Sequence, residues 1–156
     1  MVEFVPSDFE IPLGLKNEKF LLKPLSVDFA EKDYEAIMSS AQHIRGVFGN
    51  EWPSSDLTFK EELTSLKLHQ KDAKNREAFA YTVLNQKETK CLGCIYLYPS
   101  HKTEFGAVVF LWVIESEVIN GLDEFLFSTV KKWIKEKWPF GKVTYPGRSI
   151  TWEEFR

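Results

Sequence analysis

The residues with chemical reach are few and scattered. Cys91 and Cys94, in Lys90-Cys91-Leu92-Gly93-Cys94, have the spacing of a redox dithiol or of half a zinc site. A redox pair of this kind should open a helix, whereas Leu92 to Tyr98 reads as a strand, on which positions three apart face opposite ways. No second ligand pair with zinc spacing follows, so the two read as small residues in a strand. His43, His69 and His101 are too dispersed for a metal cluster, and His69, near Asp72, reads as the polar end of a helix. Gly-x-Ser-x-Gly, P-loop and dinucleotide-binding glycine patterns are absent from the sequence, which removes the hydrolase, kinase and Rossmann readings. Glu115 is the first ionisable residue after the eight apolar ones from Ala107 to Ile114. Six residues on, Gly121 opens an amphipathic stretch whose first turn carries Asp123 and Glu124, where negative side chains interact favourably with a helix dipole.

The elements that must position these residues follow from periodicity. Lys19 to Pro24 reads as a short strand after an irregular arm containing Pro6, Pro12 and Gly14. Asp28 as N-cap with Glu31 resembles a capping box, and Tyr34, Ile37, Met38, Ala41, Ile44 and Phe48 recur at helical spacing, predicting one helix. Thr58 and Glu61 predict a second capping box, ahead of a helix running to about Lys71. Glu77 to Leu84 and Cys91 to Tyr98 read as two strands joined by a polar turn, most simply an antiparallel hairpin. Ala107 to Ile114 is apolar on both faces, which marks a central strand covered from both sides. Leu122, Phe125, Leu126, Val130, Trp133, Ile134 and Trp138 predict a long helix stopped by Pro139-Phe140-Gly141. Lys142 to Tyr145 is a last short strand, and Trp152 to Arg156 a final helical turn.

Composition narrows the function. A chain of 156 residues that is 44% hydrophobic and 15% aromatic has material for one core, so residues 1–156 are expected to form a single domain. A formal charge of -3, from 20 basic and 23 acidic residues, leaves no electrostatic footprint for a nucleic acid. Lys131, Lys132, Lys135 and Lys137 read as a solvated helix face. No apolar run is long enough to span a membrane, and Met1-Val2-Glu3-Phe4 does not begin a signal peptide. A cytoplasmic protein without membrane or nucleic-acid partners is expected.

The order strand, two helices, three strands, long helix, strand gives an α/β (α+β) fold class, with a mixed, mostly antiparallel central sheet flanked by helices. That order, from about Leu21 to Tyr145, resembles the GNAT superfamily of N-acetyltransferases. Phe79-Ala80-Tyr81-Thr82-Val83-Leu84, Leu92-Gly93-Cys94-Ile95-Tyr96 and the Trp112-Val113 end of the central strand look like the family's middle strands. The resemblance implies an acyl-CoA N-acyltransferase fold whose last two strands splay apart to admit acetyl-CoA as cosubstrate. It implies a main-chain amide near Trp112, Val113 and Ile114 as support for the thioester carbonyl, with a bulge freeing it. It also implies a pyrophosphate loop over Asn120, Gly121, Leu122 and Asp123, held by backbone N–H groups at a helix start. In the family's pattern of Gln or Arg, then Gly, then Gly or Ala, the aligned residues are Val118, Gly121 and Asp123, of which Gly121 matches. Asp123 and Glu124 compete with a phosphate for the same helix field.

By the same resemblance, Glu115 would lie at the mouth of the splay as general base; it reads equally as the solvated end of a strand. Tyr145 is the nearest match to the family's general acid, and reads also as strand packing. Phe48, Trp52, Phe59, Tyr81, Tyr96 and Tyr98 are candidates to line an acceptor pocket between the helical pair and the sheet, with Phe48 to Ser55 the place for substrate contacts. The implied activity is acetyl transfer from acetyl-CoA to the amine of a small molecule or peptide. The alternative is a noncatalytic GNAT-like domain that has lost acetyl-CoA binding and holds a ligand or protein instead. The surplus of aromatics leaves a homodimer open.

Overall fold

The structure, a computed structural model, describes residues 3–156; positions 1–2 of the expected arm lie outside the described residues. Strands β1 (Leu15–Lys16), β2 (Leu21–Pro24), β3 (Phe79–Leu84), β4 (Cys91–Tyr98), β5 (Ala107–Val113) and β6 (Val143–Thr144) form one sheet in sequence order. All neighbours are antiparallel except β5 and β6, which are parallel. The sheet is therefore mixed and mostly antiparallel, as the element order implies. Strand β1 falls inside the arm that the sequence leaves irregular. It forms because Asn17 Oδ1 accepts from the N–H groups of Lys19 and Phe20 at 2.9 and 3.0 Å, closing a turn that returns the chain onto β2.

The bulge expected near Trp112 to Ile114 is not there. Pairing between β4 and β5 runs without a shift from Gly93↔Val113 to Tyr98↔Val108. The irregularity lies instead between β3 and β4, at Val83/Leu84.

The helices are α1 (Ala30–Ser39), α2 (Ala41–Ile44), α3 (Phe59–Lys74), α4 (Glu115–Val118), α5 (Leu122–Lys137) and α6 (Trp152–Phe155). Asp28 is not the cap of the first. Ser26 is extended and its hydroxyl accepts from Asp28 N–H at 3.1 Å, starting a 3₁₀ turn over Val27–Phe29 that leads into α1. Nor is the first helix continuous to Phe48. It breaks at Ser40, whose φ of -129° is not helical and whose hydroxyl accepts the N–H of Glu115 at 2.8 Å. That bond ties the break to the end of the central strand. The capping box of α3 is as expected: Thr58 Oγ1 accepts from Glu61 N–H at 3.1 Å, and Glu61 Oε1 from Thr58 N–H at 2.9 Å. Thr58→Ala is expected to cost about 1 kcal/mol of stability, read as a lower denaturant midpoint with unchanged slope.

Cross-strand partners share a face, so register sorts the core. Tyr81, Ile95 and Leu111 lie in one row facing α5, where Tyr81 meets Trp133 edge-on at 5.0 Å. Cys94 with Trp112 and Tyr96 with Phe110 form the opposite rows, toward α3, where Tyr96 lies 5.6 Å from His69. Strands β3, β4 and β5 are thus covered on both sides, with nearly every residue buried. The N-terminal arm is held by Tyr81 Oη donating to Pro12 O at 2.6 Å and by Arg76 donating to Pro6 O and Phe9 O at 2.7 Å each. Among the described residues no helix is long and apolar enough to cross a membrane.

Candidate active site

Parallel pairing between β5 and β6 stops at Val108↔Thr144. Two residues on, Pro146 has no N–H with which to extend a ladder, and the N–H groups of Arg148 and Ser149 both turn back to Tyr145 O at 2.9 Å. The two chains therefore diverge. Ile114 N–H bonds to Leu92 O at 2.9 Å, so even-numbered residues of β5 exchange bonds with β4, and odd-numbered ones turn their N–H and C=O toward the gap. Of the amides expected near Trp112 to Ile114, it is that of Val113 which faces the gap, together with that of Leu111; those of Trp112 and Ile114 bond to β4.

The resulting cleft has a volume of about 340 Å³ and is lined by Leu111 to Val113 from β5, Asp123 from α5, Arg148 from the last turn, and His43 and Arg45 at the end of α2. Arg148 dominates it. Its guanidinium donates to both carboxylate oxygens of Asp123 at 2.8 Å each and reaches Leu111 O at 3.3 Å. It also lies 5.1 Å over the Phe127 ring. The carboxylate it holds sits in the first turn of α5, just past Gly121, the N-cap of that helix at φ 79°, a conformation that favours glycine. A Cβ on Gly121 would meet nothing within 4 Å. The glycine is thus required by its backbone conformation and leaves open space above the helix start.

The other expected site residues are placed as follows. Trp112 and Val113 line the cleft with Asp123 and Val118. Trp112 turns its ring to the opposite side, donating from Nε1 to Tyr96 Oη at 2.9 Å. Ile114 lines a neighbouring cavity beside α1, Leu122 is buried in the core, and Asn120 reaches Glu117 Oε2 at 3.4 Å. Glu115 begins α4 and faces that neighbouring cavity, with Lys32, Glu35 and Lys90, not the cleft. Tyr145 is 6% exposed and meets Phe127 edge-on at 5.2 Å; burial pushes its phenol up to about 12. Glu115 and Tyr145 are not brought together.

A second cavity, of about 400 Å³, lies between α3 and the sheet. Phe48, Trp52, Tyr96 and Tyr98 line it, as the sequence anticipates for an acceptor pocket, joined by Phe110, Glu62 and His69. Phe59 instead packs on Tyr34 and Tyr81 on α5. Phe110 stacks on Trp152 of α6 at 5.9 Å, and Trp152 lines the first cleft, so that stack is the partition between the two spaces.

Behind the second cavity is a pair of acids that sequence reasoning misses. Asp33 of α1 and Glu62 of α3 are 2% and 4% exposed, and their carboxyl groups lie against each other. Burial and the neighbouring Asp33 push Glu62 up to about 10, and burial raises Asp33. Desolvation lowers His69, partly offset by Asp72. Burial raises both free thiols, Cys91 and Cys94, opposite to what a reactive thiol needs. Among the described residues no cluster could hold a metal.

No family model and no curated protein matches the sequence. Among solved structures, the chain is similar to the ribosomal-protein-S5-alanine acetyltransferase of Vibrio fischeri, at 14% identity and a TM-score of 0.63 over 80% of this chain and 68% of that one. It is similar to an acetyltransferase assigned to the GNAT family from Bordetella pertussis, at 14% identity and 0.62 over 88% and 81%. It is also similar to the microcin C7 self-immunity acetyltransferase MccE in complex with acetyl-CoA and AMP, at 18% identity and 0.60 over 81% and 67%. The chain has the GNAT acyltransferase fold.

Proposed function

We propose that residues 1–156 form a single cytoplasmic N-acetyltransferase domain that transfers an acetyl group from acetyl-CoA to an amine. The observation that carries this reading is the splay of β5 from β6, which turns the amides of Leu111 and Val113 into a cleft beside the start of a helix. Those amides suit a thioester carbonyl, because a main-chain donor fixed by a sheet needs no reorganisation as charge develops on the oxygen. Arg45 and Arg148 suit phosphates; the Asp123 carboxylate opposes a phosphate, and its pairing with Arg148 compensates that charge. The amine nitrogen attacks the carbonyl carbon, the C–S bond breaks, and the proton that the nitrogen gives up ends on the departing thiolate, which leaves as the thiol. Trp112 then contributes its main chain to the cleft wall while Ile114 closes the far end of β5, and Asn120 and Gly121 shape the approach to a helix start that Leu122 anchors in the core. Glu115 would act only across the β5 end, and Tyr145 only after leaving Phe127. The free buried thiols of Cys91 and Cys94 fit a reducing compartment.

Acetyl-CoA at 100 times its dissociation constant should stabilise the fold by about 2.7 kcal/mol, an upward shift of several degrees. Thiol release from acetyl-CoA in the presence of an amine panel should follow. No thermal shift up to millimolar ligand would favour the second reading, a GNAT-like binding domain. What supports that reading is the ion pair of Asp123 with Arg148, which sets a carboxylate in the first turn of α5 and commits the guanidinium beside it.

A further inference from the structure

We propose that the cavity between α3 and the sheet binds a primary amine carried on an aromatic ring by a short arm, and that His69 accepts a hydrogen bond from its ammonium group. The inference rests on the acetyl-transfer reading for the role of this ligand as acceptor, but the site itself is argued from the cavity.

Its walls are rings. Phe48 lies 4.8 Å from Tyr96, 5.1 Å from Phe110 and 5.3 Å from Trp52, each tilted or edge-on. Tilted rings around one space offer both faces and edges to a further ring. None of the lining residues is a lysine or arginine, so nothing there repels a cation, and ring faces attract one. On the α3 side Glu62, Ser65 and His69 line one wall, and Asn50 adds a polar amide from the loop before α3. His69 is surrounded by Glu62 and Asp72 of its own helix and by Tyr96 and Tyr98 of β4, with Asp33 of α1 behind Glu62. Desolvation favours its neutral ring, which keeps one nitrogen as an acceptor. An acidic ligand would find no cationic side chain in the lining, only neutral donors such as Asn50 and Ser65 beside the buried acid pair.

A peptide fits less well. Extended peptides are held by main-chain bonds to an exposed strand edge, but the sheet strand lining this cavity most fully, β4, is paired on both sides. The volume of about 400 Å³ lies toward the small end of ligand pockets, which suits one compact molecule. Phe110 also places the ligand next to the acyl side. Its ring lines this cavity while the following residue, Leu111, turns its amide into the first cleft.

Calorimetric titration of the full chain without acetyl-CoA tests the site apart from catalysis. 2-Phenylethylamine is expected to bind at least tenfold tighter than n-hexylamine, which has the charge but no ring, and than phenylacetate, which has the ring and the opposite charge. His69→Leu and, separately, Trp52→Leu should each weaken 2-phenylethylamine at least tenfold; Ser65→Leu, which fills the cavity from α3, should abolish binding even if one of the others misfolds. Melting curves identify any misfolded variant. Equal affinity for the two amines, or binding indifferent to the substitutions in folded protein, overturns the proposal. Selective binding without thiol release from acetyl-CoA would sink the transfer reading and leave this site standing.

Discussion

Raising the pH from 7 to 8.5 is expected to remove about 2 kcal/mol of stability, and combining Asp33→Asn with Glu62→Gln is expected to abolish that loss. The acids lie between α1 and α3 with almost no solvent contact, and Asp33 Oδ2 finds no protein partner among the described residues. Two carboxylates so placed cannot both ionise without bringing two like charges into a poorly solvated space. The folded state therefore keeps a proton, with Glu62 pushed up to about 10, whereas the unfolded chain has released it above about pH 5. A raised folded value means stability that is fully present below the unfolded value and lost as pH climbs toward the folded one, at up to about 1.4 kcal/mol per pH unit. Two other groups set the window. His69, lowered in the fold, makes stability rise with pH up to its unfolded value near 6.5, and the raised thiols add a loss of the same sign as the acids only above about 8.5. Urea unfolding at half-unit steps from pH 7 to 8.5 isolates the pair. Parallel slopes for the wild type and the double variant would show that the acids do not share a proton.

The acid pair is partly legible in the amino-acid sequence. Asp33 falls on the same helical stripe as Ala30, Ala36 and Ile37, and Glu62 on that of Leu66, so the apolar periodicity contains two acids at buried positions. What the sequence does not carry is that the stripes face one another. Local chemistry is legible where it closes locally: the Thr58 cap, the β3–β4 hairpin and the helix after Gly121 all depend on residues within a few positions. The break at Ser40 has no glycine or proline to signal it, because its cause is a hydrogen bond to Glu115, 75 positions away. Arg148 escapes for the same reason, since Pro146-Gly147 announces a turn but not that the next side chain returns to Asp123, 25 positions back. The misplacement of Tyr81 in the aromatic pocket is avoidable. In the hairpin it pairs with Ile95 rather than Tyr96, and a one-residue difference puts it on the other face.

Asp123→Ala is expected to tighten acetyl-CoA binding about tenfold or more, the reverse of what removing a ligand-binding residue does. A carboxylate about 6 Å from a phosphate repels it by roughly 3 kcal/mol at an effective dielectric of 20, and salt reduces this by about half. What is left, about 1.4 kcal/mol, is a factor of ten in the dissociation constant. The substitution also releases Arg148, whose two donors are now committed to Asp123 and which could then face the phosphate in the same forked geometry. The loss of the ion pair should cost little stability, about 1 kcal/mol or less, because both partners are partly exposed. Arg148→Ala should do the opposite, leaving the carboxylate uncompensated at the helix start and weakening binding below the wild type. Titration calorimetry of the three proteins orders them. If Asp123→Ala and the wild type bind equally, the pyrophosphate does not approach the start of α5. If none of them binds, the ion pair is the permanent occupant of that helix start, and the cleft between β5 and β6 belongs to a binding domain.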